Sequence, residues 1–147
     1  MGAFSDVVGL ALIARQQVRD LSDRGHKFHN WVNPFPPDMA GACGIVSLHI
    51  MNMAFKRGLH PSFVRGDYDF SGHCWIEYYG HIIDATATQF IASAKPVHIV
   101  RNFATKNNPI YRKNSFRKVS SETDIEEIEQ SLSNWMTYLP ELKKLAL

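Results

Sequence analysis

Between residues 4 and 24 the apolar positions recur at helical spacing. Val7, Val8, Leu10, Ala11, Ala14, Val18 and Leu21 form one stripe, which predicts an amphipathic helix with one face against a core. Ser5 or Asp6 is placed to cap its start and Gly25 to end it. From His26 to Gly41 the periodicity stops. Pro34, Pro36 and Pro37 exclude regular helix there and hold Phe35 extended. It returns over Cys43–Arg57, where Ile45, Val46, Leu48, Ile50, Met51, Met53, Ala54 and Phe55 cover most of the circumference. Such a pattern predicts a central, buried helix, terminated by Gly58. Within it the Met51/Met53 pair reads as core filling.

Beyond Gly58 the pattern shifts to short runs of aromatic and β-branched residues. Strands are predicted at Ser62–Arg65, Gly72–Tyr79, His81–Ala87 and Val97–Phe103, with turns at Gly66–Asp67 and Gly80. A further strand falls at Ile110–Arg112 or Phe116–Val119. Two overlapping capping boxes, Ser121-Glu-Thr-Asp124 and Thr123-Asp-Ile-Glu126, announce a last helix. It would carry Ile125, Ile128, Leu132, Trp135, Met136 and Leu139 and stop before Pro140. Helices, a meander of strands, then a helix describe an α+β chain with an antiparallel sheet.

Composition narrows the class. At 147 residues, 45% hydrophobic and 20% charged, the chain fits one globular domain over residues 1–147. Lys plus Arg is 16 against 14 acids, a balance that gives no reason to expect a nucleic-acid partner. No apolar run approaches a bilayer span, so no membrane partner is expected. The apolar start lacks a basic region and has Asp6 early, unlike a secretory signal. Gly2 is followed by Asp6 where myristoylation wants Ser or Thr. A cytoplasmic location is expected, with secretion as an effector or toxin left open. Two cysteines, Cys43 and Cys74, make no disulfide framework.

The chemistry concentrates in Ala40-Gly-Ala-Cys43-Gly44, Gly72-His73-Cys74-Trp75 and Asp84-Ala-Thr86. Cys43 falls at a helix start, where free N–H groups and positive partial charge favour a thiolate. The small neighbours Ala42 and Gly44 leave room for a substrate, and the same amides would meet a developing oxyanion. If Tyr79 and Gly80 make a hairpin turn, Tyr78 pairs with His81, Glu77 with Ile82 and Trp75 with Asp84. His73 and Trp75 share a face, so Asp84 lies diagonal to His73 at about 7–8 Å between Cα atoms. A carboxylate reaches an imidazole over that distance. The candidate set is Cys43 as nucleophile, His73 as base and Asp84 as the residue orienting the ring. Cys74 points to the opposite face from His73 and is read as a packing residue, unreactive beside Cys43.

These segments together resemble the papain-like/transglutaminase-like superfamily of cysteine enzymes, in its compact Cys-His-Asp branch. The resemblance covers residues 40–90 or so, about a third of the chain. It implies the nucleophile helix packed on an antiparallel sheet, flanked by N- and C-terminal helices. It further implies a cysteine nucleophile acting on an amide or thioester, without choosing the acceptor; the preferred expectation is a thiol protease-like hydrolase, a peptidase, amidase or glutamine deamidase with a protein or peptide substrate and no cofactor. Transglutaminase or acyltransferase chemistry through the same thioester is the alternative. Papain-like enzymes place a Gln shortly before the Cys; here Pro36-Pro37-Asp38-Met39 precedes it. Gln17, Asn30, Trp31 or Asn33 could supply the second oxyanion donor instead.

Two rival uses of these residues have weaker support. Cys43, His73, Cys74, His49 and His60 contain no Cys-x-x-Cys or His-Glu-x-x-His spacing, and His26-x-x-His29 lies in a polar loop, so no metal is expected. Residues 95–119 hold seven Lys or Arg and no acid, with Phe103, Tyr111 and Phe116 interleaved. That stretch could hold an acidic partner, in the extreme making the chain a non-catalytic binding module. A solvated face balanced by the acidic last helix is the simpler reading.

Overall fold

The computed structural model describes residues 2–29, 34–68, 71–101, 110–119 and 121–147, without the side chains of 67, 68, 71 and 112–119. The elements run α1 (Gly2–Asp23), α2 (Cys43–Lys56), β1 (Ser62–Tyr68), β2 (Ser71–Tyr78), β3 (His81–Asp84), a 3₁₀ turn (Ala87–Gln89), β4 (His98–Arg101), β5 (Arg112–Val119), α3 (Glu122–Leu132) and α4 (Pro140–Lys144). The strands make one antiparallel sheet in the order β4-β3-β2-β1-β5. The fold is α+β.

The apolar stripes explain the layers. In α2, Ile45, Leu48, Ile50, Met51 and Met53 are each at most 1% exposed, as a helix apolar on most sides requires. Val7, Ala11, Ala14 and Val18 of α1 and Ile125, Ile128 and Leu132 of α3 share its core. The sheet joins that core through Phe63, Cys74, Ile76 and Ile83. Their neighbours Val64, Trp75 and Ile82 pack on the opposite face with Ile110 and Tyr111. Alternation along each strand separates the two clusters.

Several element ends differ from the sequence expectation, each for a local reason. Helix α1 begins at Gly2, so Ser5 and Asp6 lie inside it, and the Ser5 hydroxyl donates to the Gly2 carbonyl at 3.2 Å. Gly66–Asp67 is not a turn. β1 runs through it to Tyr68, with a register shift against β5 between Val64 and Gly66, and a strand glycine marks such a bulge as readily as a turn. β3 stops at Asp84, not Ala87, because Asp84 Oδ1 accepts the Thr86 N–H at 2.9 Å and turns the chain. β4 is His98–Arg101, and the remainder of the expected Val97–Phe103 strand lies outside the described residues. Helix α3 is capped by Ser121, whose Oγ accepts the Asp124 N–H at 3.1 Å. It ends at Leu132, well before Pro140. Met136 instead bridges His29, and the Thr137 N–H donates to the Phe28 carbonyl at 2.8 Å. Pro140 opens α4, a position where its missing N–H costs nothing. Among the described residues no helix is long and apolar enough to cross a membrane.

Candidate functional site

The segment entering α2 is held before Cys43 is reached. Arg19 donates to the Phe35 carbonyl at 2.9 Å and to the Pro36 carbonyl. The Phe35 N–H donates to Ser22 Oγ at 2.8 Å, and the Thr88 hydroxyl to the Asp38 carbonyl at 2.9 Å. Met39 (φ +66°) and Gly41 (φ +87°) then reverse the chain. A left-handed methionine is strained, and its complete burial against Arg19 holds it there. Cys43 is the first residue of α2 and half-buried. The first turn closes when the Val46 N–H donates to the Ala42 carbonyl at 3.0 Å, so the preceding amides have no acceptor within the helix.

The β2–β3 hairpin positions the other two residues. Its turn residues Tyr79 and Gly80 both have positive φ, +48° and +73°, a primed turn that suits the strand twist. The register is Tyr78↔His81, Glu77↔Ile82 and Ile76↔Ile83, the one expected from the sequence. One residue further, Asp84 lies diagonal to His73. Asp84 Oδ2 sits 2.7 Å from His73 Nε2, with the two side chains 1% and 0% exposed. The Tyr111 hydroxyl donates to the same oxygen at 2.9 Å, and the Thr86 N–H and hydroxyl to Oδ1 at 2.9 and 3.3 Å. Burial pushes the Asp84 carboxyl up; His73 and these donors outweigh it and hold it below its ordinary value. Burial likewise pulls His73 down, but the Asp84 carboxylate prevails and raises it to about 10. His73 Nδ1 is buried without an aligned hydrogen-bond partner. Phe90 meets the ring edge-on at 4.7 Å, and Trp75 lies at 5.6 Å.

Cys74 is buried in the core, as a packing residue is expected to be. It faces away from His73, on the face where α2 packs. There its thiol hydrogen-bonds to Cys43. That bond, foremost, with His73 second, outweighs burial and sets the Cys43 thiol well below its ordinary value. The same bond and burial push Cys74 well above its own. Of the two thiols, Cys43 is the one lowered and Cys74 the one raised.

Cys43, Cys74, Arg65, Gln89 and Phe90 line a cavity of about 520 Å³ together with Leu132, Trp135 and Met136. From the sequence, Arg65, Gln89 and Trp135 have no place at the site, and Thr86 and Tyr111 are named without being donors to Asp84. With Tyr68 paired to Ser71, the β1–β2 register sets Arg65 opposite Cys74, so a correct register would have found it. Of the suggested oxyanion donors, Gln17 belongs elsewhere: its Oε1 lies 2.6 Å from His49 Nε2, and His49 Nδ1 lies 2.7 Å from the Tyr138 hydroxyl. Asn30, Trp31 and Asn33 lie outside the described residues. The His26-x-x-His29 pair is split, His26 to Glu141 at 3.3 Å and His29 to the cavity. Among the described residues no three His, Cys, Asp or Glu side chains form a metal-ligand set. Of the basic stretch 95–119, residues 102–109 and the side chains of 112–119 lie outside the described residues. Comparison with protein-family models, curated proteins and solved structures gave no match.

Proposed function

We propose that the chain is a cysteine acyl-transfer enzyme of papain-like/transglutaminase-like type, with Cys43, His73 and Asp84 as its triad. Within that class the reading is an amide hydrolase, a peptidase, amidase or deamidase, acting on a protein or peptide. One observation carries it: a fully buried imidazole whose Nε2 is held by a carboxylate at 2.7 Å while Nδ1 has no aligned hydrogen-bond partner. A structural histidine has no need to keep one buried nitrogen unpaired.

Cys43 thiolate attacks the carbonyl carbon, and the oxyanion meets the first-turn amides of α2. Imidazolium His73 gives its proton to the departing amine, leaving a thioester on Cys43. Water, deprotonated by His73, then attacks the thioester and releases acid and thiolate. Asp84 keeps the ring oriented and balances its charge without taking a proton.

Intact-mass analysis after incubation with protein substrates tests this. A cleavage, or a gain of about 1 Da per converted glutamine, is the expected result, whereas a cross-link would show that an amine resolves the thioester. Cys43→Ala and His73→Ala should each lose about 10³-fold or more, and Asp84→Ala roughly ten- to a hundredfold less than that. Turnover surviving in folded Cys43→Ala would end the proposal.

A further inference from the structure

Arg65 stands out in the cavity. Among the described lining residues no Asp or Glu appears, and Arg65 is the cation. It lies on β1 opposite Cys74, hence on the side of the sheet where Cys43 sits. Its guanidinium carbon is 4.8 Å from the centre of the Trp135 ring. Its Nε and Nη2 each lie 3.4 Å from where a Cβ on Gly72 would be. The plane is therefore fixed between an indole and a bare stretch of backbone. Among the described residues no carboxylate pairs with it. By contrast Arg19 is tied to Asp23 and two carbonyls, Arg15 to the Ala85 carbonyl, and Arg57 to Met53 and Ala146. A partly buried guanidinium that is oriented and, among the described residues, pairs with no carboxylate is a binding fork awaiting an anion, since its donors match a carboxylate two at a time.

Resting on the acyl-transfer reading of this cavity, we propose that Arg65 is its specificity residue, receiving a carboxylate of the substrate and so placing the carbonyl at Cys43. Leu132, Trp135 and Met136 then take the apolar portion next to that carboxylate. The carboxylate belongs either to an acidic side chain or to a peptide's own C-terminus.

Two small reagents read the site without a known substrate. Iodoacetate carries a carboxylate; iodoacetamide is its neutral counterpart. Both alkylate Cys43, and peptide mapping gives the rate of each in the purified full chain. The iodoacetate/iodoacetamide ratio should fall about tenfold in Arg65→Gln, the loss of one charge-assisted contact. Iodoacetate labelling should saturate with concentration in the wild type and become linear in the variant. Arg65→Lys, which keeps the charge and loses the fork, should give an intermediate ratio. A ratio unmoved by Arg65→Gln overturns the proposal, because a merely structural arginine would change both reagents alike. Iodoacetamide alone reports whether Cys43 is activated, so failure of the acyl-transfer reading shows separately. Protection of Cys43 by N-acetylated peptides then names the source: a free C-terminus against its amide, or an amidated peptide with and without Glu.

Discussion

Asp84 is the residue on which the site turns. It is a fully buried carboxylate, and such a group is tolerated only when its lone pairs are occupied. Imidazole, amide and two hydroxyls occupy them here. Tyr111→Phe removes one donor and should cost about 1–2 kcal/mol of stability, measured by denaturant unfolding. It should also raise the Asp84 carboxyl, since that hydrogen bond favours the charged form. A variant as stable as the wild type would show the hydroxyl to be dispensable. His73 and Asp84 could be read from the sequence because a two-residue turn and period-two strands fix their relation without any knowledge of the rest. Tyr111 could not, since it arrives from a distant segment preceding β5. The face and burial of Cys74 were legible from strand alternation; its contact with Cys43 was not, because which face α2 covers is decided by tertiary packing.

Among elements, the β2–β3 hairpin matters most, since its register sets the distance between base and carboxylate. Gly80 sustains that turn at φ +73°, where a side chain costs about 1–2 kcal/mol. Gly80→Val should lower stability by that amount in denaturant unfolding, and activity should fall with it as the pairing loosens. Unchanged stability would mean the turn tolerates another shape. Helix cores followed from apolar spacing, and helix α2 in particular ran as its pattern required. Ends were legible where a residue has one local meaning, as Gly25 and Gly58 do. They were not where backbone partners come from afar. Met136 and Thr137 leave the helical pattern to pair with His29 and Phe28, a choice the segment 133–139 does not encode by itself.

At the scale of the molecule, one polar cluster ties α1, α2 and the C-terminal segment together: Gln17, His49, Asn52 and Tyr138. Burial, with Arg57 second, lowers His49 to about 4. A histidine depressed in the folded state contributes stability that is present above its unfolded value of ~6.5. That contribution is lost as pH falls through about 4. Stability should therefore decline between those limits by on the order of 3 kcal/mol from this group. His49→Gln should be less stable at neutral pH and show a shallower decline. Parallel pH profiles for the two proteins would remove His49 from the account. From the sequence His49 has no assigned role, set aside with the metal reading, because nothing local reveals that Gln17 and Tyr138 converge on it.

The central claim is that Cys43 is held as a thiolate by Cys74 and His73, and the pH dependence of its alkylation by limiting iodoacetamide tests that most directly. The account predicts a Cys43 rate already near its plateau well below the ordinary thiol value of ~8.5, with Cys74 labelled far more slowly. Cys74→Ala and His73→Ala should each move the Cys43 profile to higher pH, since each removes a partner that lowers it. A Cys43 rate that climbs like a free thiol, or equal labelling of both cysteines, would contradict the account.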